Sequence, residues 1–354
     1  MAIASSGAVS FSDLRTEFVG GSSAISYSDL YRGGTNIKAK ANDNTATNLA
    51  ASVPTSGEIK IADFRSTAKG FRKTYTSGAT NQNASTIFGD DFDLDYPKEI
   101  VINSGVELGA TSSSEEALEI PSGGAGTITI TNNGTLSGAG GTAGGNGGDA
   151  FEAATTCTFI NNGLVRAGGG GGGQGGSGGQ GSYSSTSYGS ELYNLGGENP
   201  STYYRKRGSV HDVLLNDSFL VYGGSGFPAF SGGYARRSLR LNDTYQYYAI
   251  STYSTSTTYT SGGSGGSGGV GTGYNQSAAS GSGGASGGTN AGAGGTGGTG
   301  GDFGSAGSTG STGSNGNYSN GSAGAAGGIA GKYARSSGGT LTFTNNGTVQ
   351  GNAP

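Results

Sequence analysis

Cysteine and histidine are almost missing from this sequence. The 354-residue chain has one cysteine, Cys157, and one histidine, His211. A single cysteine excludes an intrachain disulfide framework and a site built from several cysteines, and a single histidine argues against Ser-His-Asp triads and multi-histidine metal sites. Cys157 lies in a strand-like run, where we expect a small buried apolar side chain. We therefore predict a protein that is not an enzyme and has no catalytic residue, no cofactor and no metal.

Charge and long apolar runs are also scarce. Only 12% of the residues are charged, and the formal net charge is −4. A weakly acidic chain of mixed charge lacks the basic footprint of a nucleic-acid-binding protein. The sequence contains no run of 18 apolar residues, which is the length that a membrane-spanning helix needs. The N-terminus lacks the basic and apolar regions of a signal peptide. We expect synthesis in a cytoplasm, no nucleic-acid partner and no membrane insertion.

Glycine is the residue that dominates instead. The 77 glycines make up more than a fifth of the chain, against a usual share of about 7%, and they concentrate in 138–182 and 262–340. From Gly304 to Gly316 they recur at every third residue, which is the period of a polyproline-II helix. Collagen is disfavoured because no proline follows Pro228 until the last residue. We predict a bundle of glycine-rich polyproline-II helices joined through their backbones; a flexible linker is the alternative.

Three related segments open the chain. In the first copy, Ser10 and Asp13 have the spacing of a helix capping box, which the second copy shares. Lys60 takes the place of the serine in the third copy, so we expect a weaker or shifted cap there. Each copy predicts a short extended segment followed by a helical turn, and together they predict a small α/β module over 1–70. The three copies are residues 6–15, 22–31 and 56–65.

An Asn-Asn-Gly turn between β-branched residues recurs three times. Asn-Gly in this setting is a strong hairpin signal, and a rung of a β-helix with the turn at a corner is the alternative. Because one copy lies close to the end of the sequence, we expect strands from distant parts of the chain to pair. The fold class predicted is mostly β with little helix, in which short hairpins or strands over 71–137 and 341–354 flank the glycine-rich bundle. The copies are residues 128–136, 159–165 and 341–349.

Four acids cluster between Asp90 and Asp95. Three of them alternate with Phe92, Leu94 and Tyr96, the pattern of a half-buried strand with an acidic outer face. Calcium binding is the alternative, since oxygen ligands suit this ion, but the spacing lacks the glycine and the distal glutamate of an EF-hand.

The segment 183–261 has a different composition. It holds twelve of the 19 tyrosines together with arginine, serine and asparagine, a mixture typical of adaptable binding loops. Tyrosine offers an apolar face for sugar rings and a hydroxyl group, and arginine can grip anionic groups. A small β-subdomain with tyrosines in its own core is the other interpretation. The candidate binding residues are Tyr203, Tyr204, Arg205, Arg207, Tyr222, Tyr234, Arg236, Arg237, Tyr245, Tyr247 and Tyr248.

This order of parts resembles the glycine-rich adhesins at the tips of T-even-type phage tail fibres. The resemblance rests on the tracts 168–181, 262–273 and 292–327, with 183–261 between them as one long segment where that family has several short loops. It implies a sandwich of polyproline-II helices, and loops that bind an outer-membrane receptor. The N-terminal run from Ser10 to Phe18 also resembles the start of many structural proteins of environmental phages.

The resemblance implies a virion protein made in the host cytoplasm, located on the tail or fibre. It implies attachment to other tail or fibre proteins through residues 1–70, and binding of a host glycan or outer-membrane protein. A virion component without a receptor, such as a decoration protein, head fibre or fibre connector, is the alternative. The resemblance is compatible with both a monomer and a homotrimer. The candidate attachment residues are Phe11, Leu14, Phe18, Tyr27 and Leu30.

Overall fold

The chain is mostly β with little helix, as predicted, and its strands lie mainly in parallel sheets. Between 187 and 254 the structure describes only the backbone of the strands. A computed structural model describes residues 3–20, 24–39, 45–194, 212–215, 219–222, 239–240 and 246–353. The helices are α1 (Phe11–Leu14), a π-helical turn (Arg15–Val19), α2 (Ala84–Phe88), and the 3-10 turns Tyr27–Leu30, Ile61–Phe64 and Gly89–Asp91.

The three N-terminal copies each form the predicted helical turn. In the first copy, the Asp13 backbone N–H donates to Ser10 Oγ at 3.2 Å, and the Ser10 N–H donates to the Asp13 carboxylate at 2.7 Å. In the third copy the Lys60 N–H still donates to the Asp63 carboxylate at 2.7 Å, but the cap makes no side-chain hydrogen bond. The third cap stays at Lys60 and keeps the bond to the carboxylate, but it lacks the bonds that the Ser10 and Ser26 hydroxyls make to Asp13 and Asp29. The turns share an apolar core that is separate from that of the sheets.

Most of the strands form a three-sided parallel β-helix. The chain passes repeatedly from a first sheet to a second and a third, and each strand pairs in parallel with the equivalent strand of the next rung. β1 (Thr47–Asn48) is antiparallel to the first strand of rung one. The first three rungs are β2 (Phe71–Tyr75), β3 (Ala79–Thr80), β4 (Gln82–Asn83); β5 (Lys98–Ile102), β6 (Glu107–Gly109), β7 (Leu118–Ile120); and β8 (Ile128–Asn132), β9 (Thr135–Ser137), β10 (Phe151–Ala153).

The fourth rung is interrupted by a long insertion. β11 (Cys157–Asn161) and β12 (Leu164–Arg166) form its first two sides. The chain then leaves the β-helix and returns only at β18 (Arg335–Ser336), which completes the third side beside β10. Inside the insertion lie β13 (Gly181–Asn194), β14 (Asp212–Leu215), β15 (Phe219–Tyr222), β16 (Leu239–Arg240) and β17 (Gln246–Thr260). Rung five is β19 (Leu341–Asn345) and β20 (Thr348–Gln350).

The Asn-Asn-Gly turns are corners of rungs and not hairpins. β8 and β9, on either side of one turn, belong to different sheets, so the hairpin interpretation was wrong for these three units. The physical reason is that each strand finds its partner one rung away. The predicted pairing of distant strands is confirmed, since Cys157 to Asn161 pair with Leu341 to Asn345.

The interior of the β-helix is filled by the side chains of every second residue along the strands. Ile100, Ile130 and Phe159 succeed one another in register and are fully buried. Cys157 is buried as predicted, and burial raises the pKa of its thiol to about 12. Leu341 and Phe343 in rung five are only partly buried. The core is therefore closed along its length but open at its last rung.

The glycine-rich parts of the chain form seven extended segments that are neither helix nor strand. They bond laterally through backbone N–H and C=O groups at 2.7–3.2 Å. Segment 168–180 lies at the centre and bonds to five of the other six. The segments are 138–148, 168–180, 262–272, 278–289, 291–302, 305–316 and 319–331.

Hydrogen bonds of the central segment repeat every three residues. The N–H groups of Gly169, Gly172, Gly175 and Gly178 all donate to segment 262–272, and each following residue donates to segment 305–316. A side chain on this segment would collide with its neighbours: a Cβ at Gly170 would overlap the carbonyl oxygen of Gly328. Only glycine permits backbones to approach this closely.

Side-chain contacts fasten the glycine segments to the β-helix. The Arg166 guanidinium lies 3.8 Å from the centre of the Phe303 ring. Tyr274 packs against Gly109 at the end of β6, where any side chain would overlap its ring. Arg335 in β18 pairs with Glu116, at 3.0 Å, and with Glu152 and Asp149. The insertion is thus held at both ends.

Candidate functional site

The end of the central glycine segment that lies away from the β-helix carries a two-stranded ribbon. β13 and β17 are antiparallel and pair from Gly181 with Thr260 to Asn194 with Tyr247. Fourteen residues of strand extend for about 45 Å. The ribbon base, up to Thr186 and from Thr255, is largely exposed and rich in serine and threonine.

Asparagine side chains clamp the base of the ribbon to the bundle. The Ser182 N–H donates to Asn317 Oδ1 at 2.7 Å, and Asn317 Nδ2 donates back to the Ser182 carbonyl at 2.9 Å. Asn290 Nδ2 donates to the same carbonyl at 3.0 Å, and the Thr260 hydroxyl donates to the Thr289 carbonyl at 2.6 Å. These bonds fix the direction in which the ribbon leaves the glycine segments.

Three exposed tyrosines surround that base. Tyr259 and Tyr318 are 56% and 57% exposed, and their rings meet edge to face with centroids 4.6 Å apart. Tyr183 is 40% exposed. The interaction with the Tyr318 hydroxyl raises the pKa of Tyr259. Exposed aromatic rings with free faces are suited to stacking on sugar rings or on apolar side chains.

Sequence reasoning did not select these three residues. Tyr183 and Tyr259 belong to the tyrosine-rich segment, but they are not among the candidate binding residues. Tyr318 is isolated in a glycine tract, and the signal that could have found it is Asn317-Tyr318-Ser319, which interrupts the triplet pattern.

Most of the predicted receptor-binding residues lie outside the described part of the chain. Three lie in strands: Tyr222 ends β15, and Tyr247 and Tyr248 belong to β17. The register pairs Tyr248 with Tyr193 and, nearer the base, Tyr253 with Tyr188. Those outside are Tyr203, Tyr204, Arg205, Arg207, Tyr234, Arg236, Arg237 and Tyr245.

The candidate attachment residues divide into two kinds. Leu14, Phe18 and Leu30 are at most 1% exposed and form the core of the N-terminal turns. Phe11 and Tyr27 are 36% and 37% exposed, and their rings are 4.5 Å apart. Only this exposed pair presents side chains that another protein could contact.

Comparison with known families identifies the class of protein. The sequence model of the family "phage tail fibre adhesin Gp38" matches residues 70–249. The chain belongs to the phage tail fibre adhesin family. The matched residues run from the first rung of the β-helix, through the glycine segments of rungs three and four, into the ribbon. Neither the curated proteins nor the solved structures give a match to this chain.

Membership of this family establishes a structural, non-enzymatic protein that serves host attachment. It also indicates a location on the phage tail. In the residues that the structure describes, no helix is both long and apolar enough to cross a bilayer.

The acidic cluster is built around a lysine. Lys98 is fully buried, and its ammonium donates to the carbonyls of Leu94, Tyr96 and Ala125 at 2.6–3.0 Å. Burial lowers the pKa of Lys98 to about 8, against the opposing effect of Asp91 and its acidic neighbours. No group of three or more potential metal ligands occurs in the described ranges.

The predicted strand over Asp91 to Asp95 was wrong. Residues Gly89–Asp91 form a 3-10 turn, and the following residues form further turns. Phe92 and Tyr96 are buried as the alternation implied. They reach the core from the irregular segment that follows α2 and the 3-10 turn, without forming a strand.

Proposed function

We propose that this chain is a tail-fibre tip adhesin whose tyrosine-rich segment 183–261 binds a host surface receptor. Residues 1–70 attach it to other tail or fibre proteins, and the glycine segments act as a stiff body between the two. The position of the ribbon carries this proposal: β13 and β17 project from the end of the bundle opposite the β-helix, with tyrosines exposed at their base.

The stiff body is a sandwich of polyproline-II helices. Hydrogen bonds from the central segment return to the same neighbour every third residue, which is expected of a helix with three residues per turn. Five of its neighbours bond to it at once. Such cross-linking offsets the entropy that so much glycine loses on ordering.

The receptor is a surface glycan or an outer-membrane protein. Tyrosine stacks on sugars and on apolar side chains alike, while arginines such as Arg205, Arg207 and Arg236 would hold carboxylate or phosphate groups. This composition is that of binding surfaces in which aromatic residues supply contact area and small polar residues adapt.

The test is binding of the labelled full chain to host cells, beside a variant with a shortened ribbon. Because Thr186 pairs with Thr255, replacing residues 187–254 by Asn-Gly closes the ribbon with a two-residue turn and keeps its base. The full chain should bind and block phage adsorption, and the shortened chain should unfold at a similar temperature but not bind.

Treatment of the cells separates the two receptor classes. Periodate oxidation should abolish binding to a glycan, and surface proteolysis should abolish binding to an outer-membrane protein. If the folded full chain does not bind to untreated cells, the proposal fails, and the chain is a fibre connector or decoration protein without a receptor.

A further inference from the structure

The glycine segment 138–148 is a hairpin whose two arms lie side by side against the start of the central segment. The chain turns at Gly144, whose N–H donates to the Gly172 carbonyl at 2.8 Å. In the second arm, the Gly145 carbonyl accepts from the Gly171 N–H at 2.8 Å. Past the turn, no other segment in the described part of the chain takes the positions of the two arms. The open side left there is bounded by segments 262–272 and 319–331.

On the central segment, the row of residues that faces the first arm changes where the hairpin ends. Gly168 and Gly171 face the first arm, and a Cβ on either would overlap a carbonyl oxygen of that arm. The next residues of the same row, three positions apart, carry side chains and are exposed. They form the first stop row, which consists of Gln174, Ser177 and Gln180.

A second row, on segment 319–331, changes in the same way. Gly331 and Gly328 face the second arm, and a Cβ on either would overlap a carbonyl oxygen of Gly148 or Gly145. The row continues with side chains at the same level as in the first, since the Ala325 N–H donates to the Gln174 carbonyl at 2.7 Å. The second stop row consists of Ala325, Ser322 and Ser319.

The wall of the open side still presents backbone donors. The Gly271 N–H donates to the Gly141 carbonyl of the first arm at 2.9 Å. Further along the same row, the half-buried Gly268 and Gly265 have N–H groups that meet no acceptor in the residues described. Unpaired backbone groups in a row are a template for the addition of another chain, as at the edge of a sheet.

The floor of the open side is protected by serine hydroxyls except at one point. The Ser177 N–H donates to the Ser322 hydroxyl at 2.8 Å, and the same bond recurs one triplet further along. The Gln174 N–H has no such partner within the described ranges, because Ala325 carries no hydroxyl. Both residues line a cavity of about 390 Å³ beside the turn of the hairpin. The backbone could therefore accept one more glycine triplet, and the side chains at its border oppose this.

From these two rows we infer that the stop rows close the open side to a further glycine segment, in particular one from a second copy of this chain. A Cβ in a stop row stands where a carbonyl oxygen of the added segment would lie, as the overlaps at Gly171 and Gly328 show. A second copy is the occupant because each chain holds seven such segments, which bond to one another through the same backbone groups. The inference concerns a face that neither the proposed receptor binding nor the proposed attachment uses.

The association state of the full chain is the first test. A glycine variant opens both rows, and an alanine variant, which keeps every Cβ, is its matched control. Sedimentation velocity over a range of concentrations should show wild type and the alanine variant at the same coefficient, and dimers or larger species in the glycine variant. The glycine substitutions are Gln174→Gly, Ser177→Gly, Gln180→Gly, Ser319→Gly, Ser322→Gly and Ala325→Gly.

Equal association of the alanine and glycine variants would overturn the inference, because loss of the polar groups and not of the Cβ atoms would then be the cause. A glycine variant that sediments as wild type would overturn it too. Should the sixfold glycine variant be recovered unfolded, the lengthened hairpin, which needs only two exposed substitutions, decides.

The lengthened hairpin tests the steric stop within one chain. A second Gly-Gly-Thr is inserted after Thr142 and a second Gly-Asn-Gly before Gly145, which adds one triplet to each arm. Hydrogen exchange of the inserted residues is then followed by mass spectrometry. In the Gln174→Gly/Ala325→Gly background their amides should exchange at least about tenfold more slowly than in the wild-type background. With Gln174→Ala, which keeps the Cβ, they should exchange as in wild type.

Inserted residues that are equally protected in the wild-type and glycine backgrounds would show that the side chains stop nothing. Equally fast exchange in both backgrounds would show that the open side does not accept a glycine segment. Either result contradicts the inference.

Discussion

Asn161 shows how one side chain can join three rungs. It is fully buried, accepts a hydrogen bond from Asn132 Nδ2 at 2.8 Å and donates to Asn345 Oδ1 at 2.7 Å. Its Oδ1 also accepts from the Gly163 N–H at 3.2 Å, which holds the corner. Asn162, the next residue, forms a parallel ladder with Asn133 and Asn346, but on the exposed side.

Replacing these neighbours should have unequal effects. Asn161→Ala leaves buried amide groups of adjacent rungs without partners and should lower the free energy of unfolding by about 2–3 kcal/mol. Asn162→Ala, whose partners are open to water, should cost less than about 1 kcal/mol. Urea unfolding of both variants measures the difference, and equal losses would show that the buried ladder has no special role.

Glu116 makes the stability of the β-helix depend on pH. Burial, reinforced by the neighbouring Glu152 carboxylate, raises the pKa of Glu116 to about 7, although Arg335 opposes this shift. Because the folded-state pKa exceeds the unfolded value of 4.5, this group favours the folded state fully below pH 4.5. That contribution is lost as the pH rises to 7.

Glu116→Gln should make the stability of the folded state depend less on pH between about 4.5 and 7, since glutamine does not titrate. The measurement is thermal unfolding between pH 4.5 and 8. Glu58→Gln is the control, because the Glu58 side chain is 76% exposed in its ion pair with Lys60, and it should keep the wild-type slope. An unchanged slope in Glu116→Gln would assign the pH dependence to other groups.

At the scale of the element, the glycine segments depend on the lack of side chains at particular positions. Gly170 lies against the carbonyl of Gly328, whereas a Cβ at Gly283 would meet nothing within 4 Å. Gly170→Ala should therefore lower stability by about 1–3 kcal/mol through overpacking. Gly283→Ala should change it by less than about 1 kcal/mol. Thermal unfolding of the pair checks this, and similar losses would contradict the close-packed bundle.

Local patterns predicted the elements better than their partners. The capping boxes and the Asn-Asn-Gly turns follow from residues close in sequence, and both occur. The choice between a hairpin and a rung does not follow from residues close in sequence. It depends on distant partners, because Asn132 bonds to a residue 29 positions away and Asn161 to one 184 positions away. The strand predicted over Asp91 to Asp95 failed because alternation alone does not distinguish a strand from a loop with two buried aromatic residues.

The candidate site was only partly accessible to sequence reasoning. Composition selected the segment 183–261, but it could not indicate that Tyr318, far along the chain, would meet Tyr259. That contact depends on the return of segment 319–331 to the ribbon base, through the bonds from Tyr318 and Ser319 to the Gln180 carbonyl. The contact between the two tyrosines is determined by how the glycine segments fold. These segments have few side chains from which their fold could be predicted.

At the scale of the whole molecule, the β-helix is a scaffold from which the glycine segments and the ribbon are displayed. Rung two passes from β6 to β7 through residues 110–117, whereas rung four uses 167–334 for the equivalent connection. Replacing 167–334 by the sequence of 110–117 should leave a β-helix that unfolds cooperatively. Its urea m-value should be smaller because less surface is exposed on unfolding. A disordered product would show that the rungs need the bundle.

The interrupted fourth rung also sets an order of events during synthesis. β12 is complete at residue 166, but β18 is made only at residue 335. At about 5–20 residues per second, the ribosome needs roughly 10–30 s to make the part between them. Throughout that interval the nascent β-helix ends in strands with open edges. A chain that terminates early within the insertion therefore keeps this exposed edge, which proteases and chaperones recognise. Only a chain that has made the glycine segments and the ribbon can close its last rungs.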